Sequence, residues 1–194
     1  MGQPDANAAA PRRTGRALAC LRWGLATVLV AMLVLDLACP PPLPGADGTA
    51  TVVTAADGTP LRAFADRDGV WRHPATVESV SPLYLDALLT YEDRWFRLHP
   101  GINPVALLRA GWQWLRSGRI VSGGSTLSMQ VARIIDGHDT RSGLGKLRQM
   151  ARALQLEARL SKDQILQLYL ERAPFGGTIE GVEAASWAYL GKPA

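Results

Sequence analysis

SPLYLDALLTYEDRWFRLHPG, residues 81–101, is where the character of the chain changes. Ser81 followed by Pro82 reads as a helix N-cap with proline at the first helical position, where its missing N–H costs nothing. Tyr84, Leu88, Tyr91 and Trp95 then recur at i, i+4, i+7 and i+11, which predicts a helix with one apolar face. Glu92 falls at the edge of that face, four residues after Leu88 and four before Phe96. A carboxylate half-sunk among Tyr91, Trp95 and Phe96 is expected to hold its proton more tightly than usual, as a general base or acid requires. The plainer reading pairs the same acid with Arg97 on the helix surface. Asp93 reads as a group that orients backbone or an arginine, and His99, before Pro100-Gly101, as an organiser of its loop. Glu92, Asp93 and His99 follow no recognised metal-ligand spacing, and no metal site is assigned.

Before residue 81 the period is two. Thr51–Thr54, Leu61–Phe64 and Val70–Arg72, separated by Asp57-Gly58 and Asp68-Gly69, predict a small β-meander. Residues 40–49 form a Pro/Gly linker, so 40–79 read as linker and β element. Ahead of it, Ala17–Cys39 is 23 residues long and carries two charges, Arg22 and Asp36, both near its ends. A spanning helix needs ~20 apolar residues. Residues 1–16 end in Arg12, Arg13 and Arg16, so they read as a cytoplasmic tail, with the remainder exported. A cleaved signal peptide is the alternative, but Asp36-Leu37-Ala38 makes a poor cleavage site. Cys20 and Cys39 lie at opposite ends of this span, too far apart to pair within one helix.

After residue 101 the chain stays helical. Asn103-Pro104 opens a second helix with Val105, Leu108, Trp112 and Leu115 on its apolar face. The loop Ser122-Gly123-Gly124-Ser125-Thr126 feeds a third, carrying Leu127, Val131, Ile134 and Ile135, and its free N–H groups suit an anion. A polar loop, Gly137 to Gly143, precedes a helix over Lys146–Leu160. Ser161-Lys162-Asp163-Gln164 is a capping box opening the next, with Ile165, Leu168 and Tyr169 inward. After Pro174-Phe175-Gly176-Gly177 a last helix runs to Leu190. The class is mostly α. Of the 194 residues 47% are hydrophobic, which excludes a mainly disordered chain, and two cysteines exclude a disulfide scaffold or a four-cysteine zinc site. Between Arg94 and Arg172 there are 13 Lys/Arg against 5 Asp/Glu. Such an excess suits a phosphate-bearing ligand or an anionic membrane surface, or else a solvated helix surface. Arg133 lies on the helix that the glycine loop begins, and Lys146 opens a later one, where the helix dipole disfavours a cation unless an anion is near.

Together these segments resemble the glycosyltransferase domain of class A penicillin-binding proteins, the peptidoglycan polymerases. Glu92–Gly101 (EDRWFRLHPG) is similar to that family's E-D-x-x-F-x-x-H-x-G motif. Gly124–Gln130 (GSTLSMQ) is similar to G-x-S-T-x-T-x-Q, with Ser128 in a Thr position and Met129 where Gln is usual. Lys162–Leu170 (KDQILQLYL) resembles K-x-x-I-L-x-x-Y-L. Arg172–Gly177 and Ala184–Gly191 are similar to the 1C branch. The family's R-K-x-x-E falls on Gly145–Gln149: Lys146 is kept, the arginine is Gly145 and the second acid is Gln149.

The resemblance implies a lysozyme-like domain over residues 80–194, incomplete at its C-terminal end, behind a transmembrane helix at 17–39. It implies lipid II and the growing glycan as substrates, joined by inverting transfer with release of lipid pyrophosphate. A donor that carries a diphosphate already has a good leaving group, so one base and positive charge suffice. Glu92 is then the base, and Lys146 and Arg133 stabilise the pyrophosphate. Asp93, His99, Gly124, Ser125, Thr126, Gln130 and Gln149 fall to substrate binding. No cofactor is required, although a divalent cation, Mg or Mn, is compatible. The implied partners are the cytoplasmic membrane, where the catalytic domain would face the outer or periplasmic side, and other cell-wall synthesis proteins, with no nucleic acid. A lysozyme-like glycan-cleaving enzyme would use Glu92 as an acid but leaves the cation excess unused. An inactive fragment serving as a membrane anchor or scaffold is the non-enzymatic alternative, since the chain stops at Ala194 inside the family's last conserved region.

Overall fold

The computed structural model describes residues 12–45, 50–57, 60–119, 123–137 and 142–194. The predicted tail over residues 1–11, Gly58 of the first turn, Ser122 of the glycine loop and residues 138–141 of the polar loop lie outside the described residues.

Two compact units follow one another, Met1–Pro40 and Pro41–Ala194. The first is a single helix, α1 (Arg12–Ala38), which starts before the expected position 17. Its stretch Leu18–Ala38 is long and apolar enough to cross a membrane.

In the second unit β1 (Val52–Thr54) and β2 (Pro60–Ala63) form an antiparallel hairpin. The expected meander stops there. β3 (Trp71–Arg72) leaves the hairpin and pairs in parallel with β5 (Ile179–Glu180), which in turn pairs antiparallel with β4 (Pro174–Gly176). The Asp66 carboxylate is the physical cause. It accepts the N–H groups of Asp68 and Val70, at 2.9 Å each, and closes a turn that swings the chain away. Arg72 then bonds Asp66 and, at 2.7 Å, Glu180, which anchors the strand to its distant partner.

The helices are α2 (Pro82–Glu92), α3 (Pro104–Ser117), α4 (Leu127–Asp136), α5 (Gly143–Arg159), α6 (Lys162–Arg172) and α7 (Val182–Leu190). Ser142 accepts the Gly145 N–H at 3.0 Å and so begins α5 three residues before Lys146. Ser161 and Gln164 make both bonds of the predicted capping box of α6. α4 packs chiefly on α5 and α6, and the core lies among them. Leu127, Met129, Leu156, Ile165, Leu166 and Leu170 are fully buried there, with Phe96 filling the side nearest α2.

Two expected faces differ. α2 ends at Glu92, and its inward residues are Tyr84, Leu85, Leu88 and Leu89, whereas Tyr91 and Trp95 are exposed. On α3, Val105, Leu108, Trp112 and Leu115 all face outward. The small side of α3 is the one that packs: Gly124 sits so close that a Cβ there would lie 3.1 Å from Leu107 Cδ2.

Leu166→Ala removes a fully buried side chain from the α4–α5–α6 core and is expected to lower unfolding free energy by about 2–5 kcal/mol. Chemical denaturation of the two proteins measures the difference.

Candidate active site

The site begins with a buried acid. Asp93, the first residue after α2, is 7% exposed and accepts from His99 Nε2 at 3.0 Å through both carboxylate oxygens. Because a carboxylate offers no proton, Nε2 is the protonated nitrogen of His99. Asp93 Oδ2 also accepts the Leu127 N–H at 2.9 Å, at the first residue of α4. A negative charge there satisfies an orphan donor and complements the helix dipole.

Thr126, also buried, completes the cap. Its Oγ1 donates to the Gly101 carbonyl at 2.5 Å and accepts the Met129 N–H at 3.2 Å. Gly101 allows this approach: its φ is +87°, and a Cβ would lie 3.0 Å from the Ala153 carbonyl oxygen. The N–H groups of Leu127 and Met129 at the helix start are taken by Asp93 and Thr126, while Asp93, His99 and Thr126 also line a cleft beside Glu92.

A second polar knot lies behind it. Lys162 Nζ donates to the His99 carbonyl and to Glu157 Oε1, each at 2.7 Å, and sits 4.5 Å from the centre of the Phe96 ring. Ser128 Oγ donates to the same Glu157 oxygen. Sequence reading missed Glu157, although it shares a helical face with Gln149 and buried Ala153 at spacings of four, an unusual place for an acid.

This frame sets Glu92 opposite the loop 123–126. Glu92 is half-buried and Gln130 Nε2 donates to its Oε2 at 2.7 Å. The expected aromatic nest is absent, since Tyr91 is 89% exposed, Trp95 is exposed at the wall of a cleft and Phe96 enters the core. Instead the carboxylate neighbours two phenols. Burial and the Glu92 charge push the Tyr84 hydroxyl up, and burial, Glu92 and Tyr84 push Tyr169 up to about 12 against the opposing pull of Arg133. Arg97 pairs with Asp163 at 2.8 Å and leaves Glu92 to the site.

Two clefts meet at Glu92. One, of about 490 Å³, is lined by Glu92, Ser125, Gln130, Arg133, Lys146 and Gln149. In it Lys146 Nζ donates to Ser125 Oγ at 2.6 Å and to Gln149 Oε1 at 2.9 Å. Burial, and then the charge of Arg133, hold the Lys146 ammonium below the ordinary lysine range. Both of its hydrogen-bond acceptors are neutral, so its charge stays available. The other cleft, of about 610 Å³, is lined by Glu92, Arg94, Trp95, Asn103, Arg109 and Ser125 among others. Among the described residues no group of three His, Cys, Asp or Glu is placed to hold a metal ion.

The structure thus gathers Glu92, Ser125, Gln130, Arg133, Lys146 and Gln149 around one cavity and places Asp93, His99 and Thr126 with Glu92 in the lining of the other. Gly124 belongs to the seat of the loop on α3. The model of the transglycosylase family matches residues 57–194 of this chain. The chain belongs to the transglycosylase family. It is 66% identical over 143 residues to penicillin-binding protein 1C of Escherichia coli K12, a match that covers 74% of this chain and 18% of that protein. It is 34% identical over 189 residues to penicillin-binding protein 1A of Pseudomonas aeruginosa, covering 92% of this chain and 23% of the relative. The chain spans about one-fifth of the length of these curated relatives.

Asp93→Ala leaves the Leu127 N–H and the His99 ring without their acceptor. It is expected to cost about 1–3 kcal/mol of stability and to speed hydrogen exchange at the Leu127 amide. Denaturation and exchange measured by NMR test both.

Proposed function

We propose that this domain is a peptidoglycan glycosyltransferase that joins lipid II units into glycan strands by inverting transfer, releasing lipid pyrophosphate. One observation carries the reading: Glu92, the only carboxylate among the described residues that line the cationic cleft, also borders the second cleft, so a base stands between two binding spaces. The sugar hydroxyl of the acceptor attacks the anomeric carbon of the donor from the face opposite the diphosphate. Its proton passes to Glu92 as the new C–O bond forms, and the bond from carbon to diphosphate oxygen breaks. Lys146 and Arg133 meet the charge that develops on the departing phosphates, and they are in place before it develops. Arg133 is exposed, and its guanidinium makes no ion pair or hydrogen bond among the described residues, which leaves it to a ligand. Gln130 keeps the Glu92 carboxylate aimed into the cleft.

No resident cofactor is needed in this scheme. A divalent ion would enter as counter-ion of the diphosphate, since among the described residues Glu92 has no cluster of further His, Cys, Asp or Glu donors around it. A glycan-cleaving reading would use Glu92 as the acid and require a second carboxylate as base or nucleophile, whereas among the described residues lining the cationic cleft Glu92 stands without one.

The membrane completes the picture. Leu18–Ala38 supplies a single span, with the basic side of the helix cytoplasmic and the domain on the outer face. The outward stripe of Val105, Leu108, Trp112 and Leu115 on α3, beside the second cleft through Asn103, Pro104 and Val105, suits contact with lipid around a lipid-linked substrate.

Glu92→Gln is expected to abolish polymer formation from labelled lipid II while leaving membrane insertion intact. Lys146→Ala should cost roughly 10²–10³-fold in turnover. Normal polymerisation by Glu92→Gln would remove the base from the mechanism. A Lys146→Ala defect confined to melting temperature would make the lysine structural.

A further inference from the structure

Gln149 is an unusual residue to find at the back of a cationic cleft. It is 5% exposed and uses both ends of its amide. Nε2 donates to the Met129 carbonyl on α4 at 2.6 Å, and Oε1 accepts from Lys146 Nζ at 2.9 Å, one helical turn earlier on α5. Only a group that is donor at one end and acceptor at the other makes both bonds. A carboxylate would set an anion against a carbonyl oxygen and neutralise the lysine at the same time. A hydrocarbon would leave the Met129 carbonyl unpaired and the ammonium without its inner acceptor.

From this geometry we infer that Gln149 is a positioning residue for Lys146: its amide, clamped to the α4 backbone, holds the ammonium at Ser125 while leaving its positive charge uncancelled. The inference rests on the glycosyltransferase reading only for its catalytic consequence, because the clamp itself is a property of the folded cleft. Ser125 provides the second neutral acceptor, at 2.6 Å, so the ammonium is held at two points and faces the cavity with its charge intact. Among the described residues, the charged or titratable groups around it are Arg133 from α4 and Glu92 and Tyr91 from α2. Arg133 is a like charge that acts with burial to favour loss of the lysine proton. Glu92 is engaged by Gln130 rather than by the lysine. The local balance is thus two cations to one carboxylate, and an acid at position 149 would bring it to parity.

The consequence is a signed pair of shifts. In Gln149→Glu an anionic oxygen replaces a neutral one beside Nζ, and the pH at which Lys146 loses its proton rises by about one unit or more. In Gln149→Met an acceptor of the charged form disappears, and that pH falls. With only three lysines in the chain, Lys146, Lys162 and Lys192, ¹³C-lysine labelling follows each titration separately. The expected result is opposite displacement of Lys146 in the two variants with Lys162 and Lys192 unmoved. The alkaline limb of lipid II polymerisation should move the same way, and Gln149→Glu should turn over more slowly at neutral pH despite gaining an acid. Melting temperatures identify a variant that does not fold, in which case the direction of the other alone decides. Unchanged Lys146 titration in a folded variant, or a shift of the wrong sign, overturns the inference. Shifts of the expected sign in the two variants, with wild-type protein that polymerises nothing, would refute the glycosyltransferase reading and leave the clamp standing.

Discussion

The carboxylate of Asp93 governs the arrangement of everything around it. It is buried, and it binds the end of α2, the ring of His99 and the first N–H of α4 at one point. An unpaired acid in that position would be expensive, so the fold holds these three pieces together or leaves a charge buried without partners. Glu92 is the residue next to it. Its place opposite Gln130 and the loop 123–126 is therefore inherited from Asp93 and not set by its own contacts alone. The Thr126–Gly101 bond and the Lys162–Glu157–Ser128 knot fasten the same loops from behind.

On that rigid floor the charges are separated by function. The buried acids and cations beneath the site are spent on one another, whereas Lys146 rests on two neutral acceptors and Arg133 reaches solvent. A cleft built in this way offers positive charge without having to break an ion pair first. That is the preorganisation a leaving diphosphate needs, because cations already in place do not have to reorient as its charge develops. The family's motif carries an acid where this chain has Gln149, and the amide has a structural use that an acid could not fill.

Sequence reading recovered the pieces whose signals are local. The capping box at Ser161, proline at the start of α2 and α3, and the helix over Leu127–Asp136 all depend on neighbours within a turn. It failed where partners are distant or where one pattern has two meanings. The α3 stripe has the period of a core face but lies outside, because periodicity tells that one side is apolar and not what covers it. β4 and β5 are two or three residues long, too short for alternation to register, and are held by Arg72 and Glu180 across more than a hundred residues. The bond from the Leu127 N–H to Asp93, at the helix start that the glycine loop feeds, joins residues 34 apart and has no local signal. Glu92, Lys146 and Gln130 were legible through motif resemblance and Arg133 through its place on the helix after the glycine loop, while the clamp by Gln149 became visible only in three dimensions.

The most direct test of a diphosphate site beside Glu92 is to titrate ¹³C-lysine-labelled protein with inorganic pyrophosphate and watch its three lysine signals. The account predicts that Lys146 moves saturably, that Lys162 and Lys192 stay in place, and that Arg133→Ala weakens the effect. A Lys146 signal indifferent to pyrophosphate, in protein that still polymerises lipid II, would contradict it.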